Sequence, residues 1–186
     1  ASFLATVMED YLTAAGGRAT ILTATSGDTG SAVAQAFHGK KNIEVVILYP
    51  SGRVSPLQEK QLTTLTGNVT ALEVRGSFDD CQRMVKEAFV NRELKERFQL
   101  TSANSINIGR LIPQSFYYIY AFSQLKRTIH DELYFCVPSG NFGNLTAGIL
   151  AWRWGMPVNR FIAATIANDE VPQYLKAGVF EPRPSI

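Results

Sequence analysis

Short apolar runs alternate with longer stretches of helical spacing along almost the whole chain. Thr20–Thr25 is a short apolar and β-branched run, and Ser31–Phe37 follows it with helical periodicity. Ile43–Tyr49 (IEVVILY) is nearly all apolar, the pattern of a strand covered on both faces. Leu57–Leu65 reads as a helix closed by Thr66-Gly67, and Val69–Val74 as the next strand. Asp79–Phe89 is amphipathic, with Met84, Val85, Ala88 and Phe89 on one side. Ile108–Leu125 predicts a long helix with an aromatic face, Leu133–Val137 a strand and Leu145–Trp154 a helix. Phe161–Thr165 predicts the last strand, before a helix near Val171–Lys176. Phe3–Met8 also reads as helix, entered from Ala1 without a capping residue.

Five strands alternating with helices predict an α/β fold: a parallel sheet with helices on both faces. The 77–132 stretch between the third and fourth strands reads as helical, and no repeat or low-complexity linker interrupts the pattern. The uncapped start and the abrupt end at Pro182–Ile186 lead to the expectation that residues 1–186 are a partial catalytic region of a larger enzyme.

Composition narrows the function classes. The chain has 186 residues, 46% hydrophobic and 18% charged, ordinary for a globular protein with a sizeable core. A net charge of +2 with scattered basic residues points away from nucleic acid and from anionic membrane surfaces. Cys81 and Cys136 lie far apart, one in a helix and one in a strand expected to be buried, and they read as inert core thiols. That usage fits a reducing, cytoplasmic setting, and no signal peptide or membrane-length apolar run is present.

Four segments carry candidate chemistry, each at a predicted C-terminal strand end or helix start. Pro138-Ser139-Gly140-Asn141-Phe142-Gly143-Asn144 lies between an apolar strand and an apolar helix. Its glycines let the backbone curl its N–H groups inward, and the helix adds its positive end, which suits a phosphate monoester. It is neither a Walker loop nor G-x-G-x-x-G, and a plain glycine turn is the alternative. Thr25-Ser26-Gly27-Asp28-Thr29-Gly30 gathers hydroxyls, a carboxylate and glycines that suit a carboxylate ligand and a polar ring substituent; simple helix capping by Asp28 or Ser31 is the competing reading. Thr101–Arg110 is rich in small polar groups. Arg110 falls in a first helical turn, where a cation is disfavoured unless an anion sits nearby. A solvated arginine beside an Asn or Ser cap is the alternative there. Asn168-Asp169 reads as a cap of the helix that follows before it reads as a ligand contact. His38 looks like a helix end, His130 sits in a charged connector, and Asp79-Asp80 and Arg92–Arg97 read as solvated helical surface. Tyr117, Tyr118, Tyr120 and Phe122 suit a core or an interface better than a stacking platform.

Taken together and in order, these segments resemble the threonine synthase family of the bacterial and fungal type, over nearly the whole chain. The resemblance rests on Thr23–Gly30, Val46–Pro50, Ser55–Lys60, Ser102–Arg110, Ser139–Asn144 and Ala163-Ala164-Thr165 with Asn168-Asp169 and Val171-Pro172. It implies the tryptophan synthase β-like fold (PLP fold type II), incomplete at both ends. It also implies an enzyme that uses pyridoxal 5'-phosphate (PLP) to convert O-phosphohomoserine and water to threonine and phosphate. Carried over, Gly140, Asn141, Phe142, Gly143 and Asn144 would hold the cofactor phosphate, and Asp28 would meet its ring hydroxyl where relatives carry asparagine. Ser26, Gly27 and Thr29 would hold the substrate carboxylate; Asn104, Ser105 and Arg110 would hold the substrate phosphate. The family's Schiff-base lysine precedes a Phe-Leu-Ala stretch like Phe3-Leu4-Ala5, so it is expected upstream of this chain, which alone should be inactive. A dehydratase or sulfhydrylase-like relative, and a non-catalytic phosphate-binding module, remain as alternatives. A nucleotide-binding domain is disfavoured, since Ile43–Tyr49 leads into Pro50-Ser51-Gly52 with no acidic residue placed for a ribose.

Overall fold

The computed structural model describes residues 1–105, 107–129, 131–167 and 169–181; Ile106, His130, Asn168 and the segment 182–186 lie outside the described residues. The chain divides into two compact units, Ala1–Arg110 and Leu111–Ile186.

In the first unit, helix α1 (Ser2–Ala15) leads to strand β1 (Ala19–Ala24), helix α2 (Asp28–Phe37), strand β2 (Ile43–Pro50), helix α3 (Pro56–Thr63) and strand β3 (Val69–Val74). Helices α4 (Phe78–Val90) and α5 (Arg92–Phe98) precede a two-residue strand, β4 (Leu100–Thr101), and helix α6 begins at Ile108. The four strands are parallel in the order β3-β2-β1-β4. The chain therefore steps outward from β1 through β2 to β3, then returns to β1's other edge as β4. The pair β1/β4 is the point where strand order reverses, and the crevice beyond such a pair is where open α/β sheets bind ligands.

Strand periodicity of two explains the layering. Ile21, Val45, Ile47 and Tyr49 share one core with Leu4 and Ala5 of α1, Val33 and Phe37 of α2 and Leu62 of α3. Leu22, Ala24, Leu48 and Val74 meet Cys81, Val85 and Phe89 of α4 in a second core. Helices thus cover this sheet on both faces, as the continuous apolar strands predict. Asn68, in the turn before β3, pins the exit of α2. Its amide donates to the carbonyls of Phe37 (2.9 Å) and Ile43 (2.8 Å) and accepts from the Gly39 N–H (2.8 Å).

In the second unit, α6 (Ile108–Leu125) is followed by β5 (Tyr134–Pro138), α7 (Gly143–Arg153), β6 (Arg160–Ala164) and α8 (Glu170–Ala177). Strands β5 and β6 pair in parallel as a separate two-stranded sheet, so the strands form two sheets. Val137 and the partly buried Phe135 and Phe161 join Tyr118, Ala147, Ala151, Met156 and Val158 in this unit's core. The alternate positions Tyr134, Cys136 and Ile162 are exposed. Cys136 is therefore not the core thiol expected from its strand; it lies on the sheet face opposite this core, whereas Cys81 is buried on α4.

Candidate functional site

Thr25 leaves β1 almost fully buried and organises the loop that follows. Its Oγ1 accepts from the N–H groups of Gly27 (3.1 Å) and Gly30 (2.9 Å) and donates to the Gly27 carbonyl (2.9 Å). This replaces the capping expected of Asp28 or Ser31: Gly27 is the cap position of α2, with no side-chain cap of its own. A Cβ on Gly30 would stand 2.3 Å from the Thr25 methyl, so the loop closes only around glycine. Because Thr25 serves the helix start, the hydroxyls of Ser26 and Thr29 keep no partner among the described residues.

Asp28 is exposed at the first turn of α2, and its carboxylate accepts from Gln58 Nε2 (2.7 Å). Gln58 Oε1 in turn accepts from Ser55 Oγ (3.0 Å), and Ser55 also caps α3. Nothing in the residue pattern marks this Ser55–Gln58–Asp28 relay, which depends on two side-chain contacts.

The segment after β4 lies beside the first loop, because β4 pairs with β1. Thr23, buried on β1, donates to Asn104 Oδ1 (2.8 Å), and the Asn104 N–H donates to Ser102 Oγ (3.2 Å). With Oδ1 engaged, the Asn104 side chain presents its NH2. Asn107 caps α6, accepting from the Gly109 N–H (2.8 Å) while its own amide donates to the Ser102 carbonyl (2.8 Å). The Asn cap that competed with ligand binding is thus present, but Arg110 is not the solvated arginine that went with it. Its guanidinium is half-buried, burial pulls its pKa below the ordinary arginine value, and it donates to the Ala103 carbonyl (3.1 Å). Ser105 is half-buried in the same turn. Thr25–Gly30 and Ser102–Arg110 therefore gather in one unit at the strand reversal.

The third segment belongs to the second unit. The Ser139 N–H extends the β5–β6 ladder to the Ala164 carbonyl (2.8 Å), and its hydroxyl donates to the Val137 carbonyl (2.9 Å). Beyond it, Phe142 takes a left-handed conformation (φ 56°) as the cap of α7, and its carbonyl accepts the first helical bond from the Thr146 N–H (2.8 Å). Among the described residues, none of the main-chain N–H groups from Gly140 through Asn144 has an acceptor. Five consecutive free donors, a left-handed residue and a helix start make up a donor set that could hold an anion. Asp169 holds the cap position of α8 without a side-chain cap bond, and its carboxylate accepts from Gln173 Nε2 (2.7 Å); its neighbour Asn168 lies outside the described residues.

Among the α6 aromatics, Tyr118 takes the core place expected of them. It is only 5% exposed, whereas Tyr117 and Tyr120 on the same helix are 68% and 66% exposed. Its hydroxyl lies against Asn144. The signal was present: Leu111, Ser115, Tyr118 and Phe122 recur at helical spacing along one face of α6. Asp80, expected as solvated helical surface, closes a capping box with Ser77 at the start of α4. Among the described residues no group of His, Cys, Asp and Glu could hold a metal ion, and no helix is long and apolar enough to cross a membrane.

Parallel strands that end in a run of unpaired N–H donors at one helix start, and in two polar segments gathered at a strand reversal, define an α/β protein whose candidate site residues lie at its strand ends. The chain belongs to the pyridoxal-phosphate dependent enzyme family, whose profile it matches over residues 3–185. It is 57% identical over 167 residues to the threonine synthase of Serratia marcescens, across 90% of this chain and 39% of that protein. Its structure resembles PLP-bound threonine synthase from Brucella melitensis (TM-score 0.88, 42% identity, 98% of this chain and 40% of that one). The Escherichia coli threonine synthase structure matches with a TM-score of 0.83 and 54% identity, over 97% of this chain and 43% of that one. The chain is a threonine synthase homologue that spans about two-fifths of the length of these relatives.

Proposed function

We propose that this chain is the part of a cytoplasmic threonine synthase that grips the PLP phosphate and the phosphorylated substrate. The observation that carries this reading is the run of free N–H groups from Gly140 to Asn144 at the start of α7. A doubly charged phosphate monoester matches such a donor set without any lysine or metal. PLP, when bound, supplies an electron sink for carbanion chemistry on an amino acid. The remaining work falls to side chains of this chain. Asp28, steadied by Gln58, accepts from the cofactor's ring hydroxyl. Ser26 and Thr29, freed by Thr25, donate to the substrate carboxylate, and Gly27 shapes the path between them. Asn104 through its NH2, Ser105 and the half-buried Arg110 hold the phosphate of O-phosphohomoserine. A guanidinium already stripped of much of its water gains most from a dianion, and it stabilises that dianion again as it departs.

The second phosphate clamp separates this reading from a dehydratase or a sulfhydrylase-like enzyme, whose substrates need none. In the complete enzyme, Arg110→Ala should raise KM for O-phosphohomoserine about 100-fold while leaving PLP affinity within about threefold. Equal KM values for the variant and wild type would remove the assignment. The surroundings of the lysines support a cofactor-holding lysine outside this chain. Lys41, Lys60, Lys86, Lys95, Lys126 and Lys176 are exposed, and Lys40 pairs with Glu9 at 2.8 Å. The chain alone, given PLP and O-phosphohomoserine, should release no phosphate above background; steady release would refute this part of the proposal.

A further inference from the structure

We infer that Tyr118 is a positioning residue for the anion cradle: it fixes the Asn144 amide so that its NH2, not its oxygen, is presented to the cofactor phosphate. The inference rests on the proposed phosphate role of the Gly140–Asn144 turn and names a residue outside that turn.

The tyrosine ring is held from three sides. It meets Phe135 edge-on (centroids 5.0 Å apart, 71°) and Phe161 likewise (6.0 Å, 73°). Gly148 of α7 lies so close that a Cβ there would be 2.8 Å from Tyr118 Cζ and 2.7 Å from Phe161 Cε1. A ring packed in this way has little freedom at χ1, so its hydroxyl is delivered to one place. That place is between two oxygens of one residue, the Asn144 main-chain carbonyl (3.1 Å) and the Asn144 Oδ1. Neither oxygen carries a proton, so the hydroxyl can act there only as donor. Burial pushes the Tyr118 pKa up, which keeps that proton in place.

The consequence lies on the far side of the amide. Oδ1 and Nδ2 diverge from the same carbon, so an oxygen held by Tyr118 turns the NH2 away from it. Asn144 is exposed at the second position of α7, and among the described residues its Nδ2 has no acceptor. The two Nδ2 protons are thus left unpaired on the residue that closes the run of main-chain donors. Without the tyrosine hydroxyl the amide could turn over, and an oxygen would then face the phosphate.

The test is binding of PLP, and of pyridoxal as its phosphate-free counterpart, measured by calorimetry with thermal unfolding alongside. Tyr118→Phe should weaken PLP about tenfold in the wild-type background and less than about twofold in an Asn144→Ala background, because it acts through that amide. Asn144→Asp keeps the acceptor for Tyr118 but puts a carboxylate oxygen where the NH2 stood. It should weaken PLP about 100-fold with little change in the unfolding midpoint. A Tyr118→Phe loss that persists in the Asn144→Ala background, or an Asn144→Asp protein that binds PLP normally, overturns the inference. Wild-type protein that binds pyridoxal as tightly as PLP overturns instead the phosphate reading beneath it.

Discussion

Replacing Thr25 by Val tests whether one hydroxyl closes the loop that carries Ser26, Asp28 and Thr29. Valine keeps the branched shape that packs against Gly30, so the change removes hydrogen bonds and little else. Three bonds are at stake. The Gly30 N–H is the buried one, and a stranded buried donor costs about 1–3 kcal/mol. It retains a longer fallback to the Gly27 carbonyl at 3.2 Å, which favours the lower half of that range. The Gly27 N–H and carbonyl are only partly buried and can turn to water, adding about 0.5–1 kcal/mol each. The sum is about 2–4 kcal/mol. The loss of helix capping is the same event counted another way and adds nothing further.

Urea unfolding of the Val variant should therefore show a lower midpoint, with about 2–4 kcal/mol lost. Thr25→Ser keeps the oxygen and should lose less than about 1 kcal/mol, through the missing methyl alone. The ordering Thr, Ser, Val is the signature. A Val variant as stable as the Ser variant would show that the hydroxyl does not organise the loop and would refute the capping argument.

Gly148→Ala should cost about 1–3 kcal/mol in thermal unfolding, since both Phe161 and Tyr118 must give way to the new methyl; an unchanged midpoint would mean the helix can retreat freely. Asn68→Asp keeps the acceptor for the Gly39 N–H but sets a carboxylate oxygen against the Phe37 and Ile43 carbonyls. It should lose at least about 2 kcal/mol in urea, and wild-type stability would remove the staple assigned to Asn68. The Asp80 carboxylate is held below its ordinary range by the Ser77 N–H, the Ser77 hydroxyl and Arg83. A depressed carboxylate contributes stability above its unfolded pKa and loses it as pH falls through the folded one. The stability gap between wild type and Asp80→Asn should thus be constant at neutral pH and close only on acidification past the ordinary aspartate range; a gap that closes near neutral pH would contradict the capping box.

The parallel α/β frame was legible because buried strands must be continuously apolar, as Ile43–Tyr49 is, and helices must carry a stripe, as Asp79–Phe89 does. Strand β4 was not legible. Two residues, Leu100 and Thr101, cannot display a period, and their pairing with β1 is decided by the sheet edge left open for them. Yet that pairing brings Asn104 within reach of Thr23 and makes the reversal point. The separation into two sheets was hidden for a related reason. Tyr134, Cys136 and Ile162 are as apolar as a covered face requires, so composition alone could not show that they would be exposed. The supports of the site were hidden by convention: capping rules look at the cap residue and the turn after it, whereas α2 is capped by Thr25 from the end of the preceding strand. The groups proposed to touch a ligand announce themselves as glycines, hydroxyls and an arginine at strand ends. Their hydrogen-bonding neighbours Thr23, Thr25, Gln58 and Tyr118 look like ordinary core or surface until the partner atom is known, because their contacts are set by one distance and not by a pattern.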